Sequence, residues 1–155
     1  MTTLLVSFLL GCVTGLRSLT APAVVCWAAH LGWLHFAGSK LTLIGHPVTL
    51  VIFTLLALIE LIADKLPNTP ARTAPLGLIA RIVFGCLCSV AIAASVGGSL
   101  LVAAIVGAIG ALVGAYAGYN VRRVLVLRAH CRGFGVALAE DLIAIAGGLL
   151  IVSHL

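Results

Sequence analysis

Between Arg81 and Arg122 the chain runs for 40 residues, Ile82 to Val121, without an Asp, Glu, Lys or Arg. About 20 apolar residues suffice for one helical crossing of a bilayer. Lipid offers no partner to backbone polar groups, so only helices and closed barrels cross it. The run therefore predicts two membrane helices, folded back near Ser95-Val96-Gly97-Gly98-Ser99. The rest of the chain agrees. Hydrophobic residues make up 63%, charged residues 8%, and mean hydropathy is +1.29, outside the range of soluble domains. These values exclude a soluble function, and the expected surroundings are the lipid bilayer.

Six apolar segments can be drawn, at about 3–16, 20–37, 42–63, 74–95, 98–119 and 134–153. The predicted fold class is an all-α integral membrane protein, one polytopic domain over 1–155. The N-terminal stretch lacks a basic leader and a small-residue cleavage site, so it is read as retained. Segment 1 has about 14 residues before Arg17, or about 21 Å of helix, against a hydrocarbon core of about 30 Å. Segments 1 and 2 are therefore either two short spans or a re-entrant or broken-helix hairpin. The loops after segments 1, 3 and 5 carry Arg17, Lys65, Arg72, Arg122, Arg123, Arg128 and Arg132, whereas the other side carries Lys40. By the positive-inside rule those loops are cytoplasmic and both termini lie outside. That bias, rather than nucleic acid, accounts for the net charge of +5.

Charges are scarce here: nine Lys and Arg, four Asp and Glu. A charge placed in lipid is costly and usually marks a site or a pair. Twice an arginine leads into Thr-Ala-Pro, at Arg17-Ser18-Leu19-Thr20-Ala21-Pro22 and at Arg72-Thr73-Ala74-Pro75. Ser18 or Thr20 can cap the first following helix, and Thr69 or Thr73 the second, with proline in the first turn. A helix N-terminus beside an arginine favours anions. The carboxylates are the complementary half. Glu60 and Asp64 stand four apart on one helical face. Glu140 and Asp141 lie about seven residues inside segment 6, and Arg81 is similarly deep in segment 4. Pairing among Arg17, Arg72, Arg81 and these four carboxylates is expected. The candidate ligand-binding set is thus Arg17, Ser18, Thr20, Glu60, Asp64, Arg72, Thr73, Arg81, Glu140 and Asp141.

Segment 5 carries Gly107, Gly110, Gly114 and Gly118 on a small-residue face, expected to pack closely on another helix, within the chain or at a homodimer seam. Residues 122–133 read as a basic amphipathic stretch at the headgroups. Cys12, Cys26, Cys86, Cys88 and Cys131 have no metal-ligand spacing and are read as packing residues. No metal, cofactor or catalytic residue is expected. Ala57-Leu58-Ile59-Glu60 faintly echoes Ala137-Leu138-Ala139-Glu140, but the two helices would run in opposite directions, unlike a parallel repeat.

Gly15 to Pro22, Glu60 to Pro75 (ELIADKLPNTPARTAP) and Ala137 to Ile143 (ALAEDLI) resemble a family of small bacterial integral membrane proteins, domain of unknown function 4126. The resemblance spans essentially the whole chain and implies a bacterial inner-membrane protein. It carries no agreed activity, so no residue role transfers from it.

Three function classes remain. The favoured one is a small transporter or channel for an ion or small anion, as a homodimer, with Arg17 and Arg72 binding the solute. The alternative is a non-catalytic scaffold or accessory subunit whose charges form a structural cluster. An enzyme acting on lipid headgroups lacks a nucleophile–base set and a metal motif. A dry, fully paired cluster favours the scaffold, and a wet pocket with an unpaired arginine favours transport.

Overall fold

A computed structural model describes residues 3–36, 40–65, 75–127 and 133–154. Among these are six α-helices: α1 (Thr3–Leu16), α2 (Thr20–His30), α3 (Pro47–Ala63), α4 (Pro75–Ser95), α5 (Leu100–Leu127) and α6 (Gly133–Ser153). A short 3₁₀ segment, Lys40–Gly45, precedes α3. Helices α4, α5 and α6 are long and apolar enough to cross a membrane, and α1 and α3 are shorter apolar helices. Large apolar side chains cover the outside, including Leu76, Leu101, Ile62 and Leu142. Such an apolar exterior suits lipid and not water. The chain is a membrane-spanning helical protein.

The boundaries follow local chemistry. Proline opens α3 and α4 at first-turn positions, where its missing N–H is no loss, and His46 Nδ1 accepts the Val48 amide as an N-cap. Gly97 takes a φ of +69° at the α4–α5 reversal, a conformation glycine adopts without steric cost. The Gly98 amide then donates to the Ala93 carbonyl at 2.7 Å. One boundary departs from expectation. Helix α5 continues through Asn120 and the basic pair Arg122-Arg123 to Leu127, so the first part of the 122–133 stretch extends a membrane helix. Nothing in Val121–Leu127 breaks a helix, and the arginines can extend outward from it.

Neighbour contacts give each helix its direction. Gly11 lies on Gly107 and Gly110, and Gly15 lies on Ala111 and Ala115, so α1 runs parallel to α5. Ser89 Oγ donates to the Ser7 carbonyl, and the Gly85 backbone faces Thr14, so α4 is antiparallel to α1. Along α2, Leu19 meets Glu60, Trp27 Nε1 donates to Thr54 Oγ1, and His30 Nδ1 meets the Gly45 carbonyl. Helix α2 is therefore antiparallel to α3. It lies along α6 in the same sense, with Arg17 at Asp141 and Val24 at Gly148.

Helices α1 and α2 thus form a hairpin that reverses at Arg17-Ser18-Leu19. Its turn is inset. Helix α6 starts eight residues before Asp141, about 12 Å along its axis. This is the inset hairpin of the broken-helix alternative rather than two short spans ending level with the other helices. It exists because fourteen and eleven helical residues are too few for a core about 30 Å thick.

The glycine face of α5 is covered inside the chain. Gly107, Gly110, Gly114 and Gly118 are buried, and α1 and α4 lie against the first three. A Cβ at Gly85 would stand 2.9 Å from the Gly107 carbonyl, and one at Gly114 would stand 2.8 Å from Cys12 Cα. Without a hydrophobic drive between helices in lipid, such backbone approach supplies the dispersion contact that holds them. Of the two expected uses of this face, packing within the chain is the one these contacts show. Val6, Leu10, Val24, Val25, Ala28 and Ile92 fill the core between α1, α2 and α4.

Candidate functional site

The charged residues gather where the α1–α2 hairpin turns. Arg17 follows the last turn of α1, its amide donating to the Val13 carbonyl at 2.9 Å. Its side chain has no exposed surface. Nη1 pairs with Asp64, the C-cap residue of α3, and Nη2 with Asp141 of α6. One guanidinium therefore ties together the α1 end, the α3 end and the middle of α6. Its planar fork suits this task better than an ammonium would. Asp141 uses its second oxygen for Lys65 Nζ at 3.0 Å, and Lys65 also stands 6.0 Å from the Phe134 ring centroid. The result is an alternating row, Asp64, Arg17, Asp141, Lys65, in which each charge faces its opposite.

Glu60 does different work. The Ser18 amide donates to its Oε1 at 2.8 Å and the Leu19 amide to its Oε2 at 2.9 Å. The Ser18 hydroxyl also donates to Oε1. A carboxylate from α3 thus caps the N-terminus of α2. This corrects the expected capping. The N-cap residue is Leu19, with no side-chain cap of its own. The Ser18 hydroxyl points to Glu60, and the Thr20 hydroxyl is buried without a hydrogen-bond partner among the described residues. The physical reason is that a carboxylate accepts both amides with full charge, which a hydroxyl cannot match. The sequence places an anion at this N-terminus, and the anion is the protein's own.

Arg81 of α4 and Glu140 of α6 are also buried, at 6% and 7% exposure. Arg122 Nη1 lies 3.8 Å from Glu140 Oε2, a looser pair. All four carboxylates of the chain therefore sit at this end of the bundle. Arg72 and Thr73 lie outside the described residues, and with them the second Arg…Thr-Ala-Pro start, although α4 does open at Pro75. Lys65 and Arg122 are partners that the loop-charge reading treats only as topology signals. Their signal is positional: Lys65 directly follows Asp64, and Arg122 lies near the end of the helix that precedes the one bearing Glu140.

A separate cavity of about 400 Å³ lies between α2, α3 and α6, walled by apolar side chains, with Thr20 in its lining. Arg17 is not among its walls. Among the described residues no three His, Cys, Asp or Glu side chains form a metal-binding group. The arrangement can hold helices together by charge, and it can hold a carboxylate on the amides of α2. No curated protein and no solved structure matches the chain. Residues 4–154 match the family described as Domain of unknown function (DUF4126), and the chain belongs to it.

Proposed function

We propose that the chain is a non-catalytic scaffold or accessory subunit of the bacterial inner membrane, locked by its ion-pair cluster. Arg17 carries this reading: it is fully buried, and both terminal nitrogens are engaged by carboxylates from different helices. A transport site needs a charge that a solute can reach, and the cavity between α2, α3 and α6 is lined mostly by apolar side chains, without Arg17. The positive-inside bias supports a cytoplasmic cluster end with both termini outside.

Under this reading Arg17→Ala unfolds or disassembles the protein. Liposomes carrying the intact chain show no solute flux above empty ones, and affinity capture recovers one stoichiometric partner. Flux abolished by Arg17→Ala in a variant that keeps its helix content would overturn the scaffold assignment.

One feature favours transport of an ion or small anion as the second reading. Two half-length helices meet at a buried, charged turn, and the N-terminus of α2 points at a carboxylate, as in transporters built on broken helices. Glu60 would then hold the place of the solute between cycles. The same flux measurement separates the two.

A further inference from the structure

Glu60 reveals what the N-terminus of α2 binds. Two successive amides and the Ser18 hydroxyl hold a carboxylate there, and that carboxylate comes from another helix. A second observation points past Glu60. Thr20, the first residue of α2, is 3% exposed, and its hydroxyl has no hydrogen-bond partner among the described residues. Leaving a buried hydroxyl unpaired is unfavourable unless something else satisfies it. Thr20 also lines the 400 Å³ cavity, together with Ala23, Trp27, Ala57, Leu61 and Leu149. Ala57 and Leu61 flank Glu60 on α3, three residues before it and one after. Ser18, Leu19 and Glu60 are not in the cavity wall, but Thr20 on α2 and Leu61 on α3, which are, directly follow the amide pair and Glu60.

We infer that the apolar cavity, the unpaired hydroxyl and the carboxylate-binding amides form one site for a long-chain aliphatic carboxylate. The ligand carboxylate replaces that of Glu60 on the Ser18 and Leu19 amides and accepts the Thr20 hydroxyl. The alkyl chain lies along Ala23, Ala57, Leu61 and Leu149. The exchange trades one carboxylate for another on the same donors, and it adds one hydrogen bond and apolar burial. Glu60 is only partly buried, so its side chain has room to leave the amides. Arg17 keeps Asp64 and Asp141 throughout, and the site is independent of the scaffold reading.

Trp27 lines the cavity, and the chain has one other tryptophan, Trp33. The test uses the full chain with Trp33→Phe in phosphatidylcholine nanodiscs, titrated with a brominated stearate that quenches Trp27. Quenching should saturate. The acid should bind about tenfold or more tighter than its methyl ester, which keeps the chain but loses the charge. Thr20→Val should weaken the acid several-fold and leave the ester unchanged. Glu60→Ala, which vacates the amides, should tighten the acid. If that variant does not fold, the Thr20→Val comparison still decides. Equal quenching by acid and ester would overturn the assignment, because the groove would then accept any acyl chain. Quenching that never saturates, or a Thr20→Val effect shared by both ligands, would overturn it too.

Discussion

Arg17 is the residue on which the cluster turns. Breaking a buried ion pair by removing one partner typically costs about 3–5 kcal/mol, because the other charge is left buried and uncompensated. Asp141→Asn should therefore destabilise the protein by roughly that amount, measured by thermal or denaturant unfolding in detergent. Lys65 is a quarter exposed, and Lys65→Gln should cost under about 1 kcal/mol. The presence of this cluster was legible in the sequence, since charges so deep in apolar segments need partners. The individual pairs were not. Arg17 chooses Asp64 and Asp141 over Glu60 because the hairpin turn aims its amides, rather than its guanidinium, at Glu60. Capping by a residue 42 positions away leaves no local signature, whereas Ser18 and Thr20 advertise a local cap that the fold does not use.

At the level of helices, close packing of α1 on α5 depends on glycine at particular places. A Cβ at Gly110 would run into the Phe8 carbonyl, while one at Gly147 or Gly135 meets nothing within 4 Å. Gly110→Val should thus lose about 1–3 kcal/mol or more from overpacking. Gly147→Ala should be neutral or gain up to about 1 kcal/mol from helix propensity. Equal losses at the two positions would contradict the α1–α5 contact, and unfolding midpoints in one detergent suffice to compare them. Segment limits were readable because proline, glycine and charge mark them: α1 matches the expected 3–16 at both ends. The extension of α5 to Leu127 was hidden because a pair of arginines reads as an interface whether or not the helix continues. That the glycine face serves α1 and α4 depends on the inset hairpin, which pattern alone does not reveal.

The whole molecule is a bundle with one charge-rich end, where all four Asp and Glu side chains gather, and one charge-poor end where α4 turns into α5. Odd-numbered helices run toward the charged end and even-numbered ones run away from it. In the orientation proposed from the positive-inside bias, cysteines introduced at Thr3 and His154 should label from the outer side of intact cells. One at Leu127 should label only after the membrane is permeabilised. The reverse pattern would invert the topology and leave the bundle unchanged. Alternation was legible in the six apolar segments and in the basic bias of alternate loops. The closure of the cluster was not, because it depends on three helices converging on one guanidinium.

That convergence is the central claim, and a double-mutant cycle between Arg17 and Asp64 tests it most directly. Unfolding free energies are measured for the parent, Arg17→Gln, Asp64→Asn and the double variant. Each single change should cost several kcal/mol, and the double variant should be little worse than the worse single one. The coupling should then be about 2 kcal/mol or more, within the range found for contacting residues in one network. Additive costs, with a coupling below about 0.5 kcal/mol, would mean that the buried arginine does not hold the helices together.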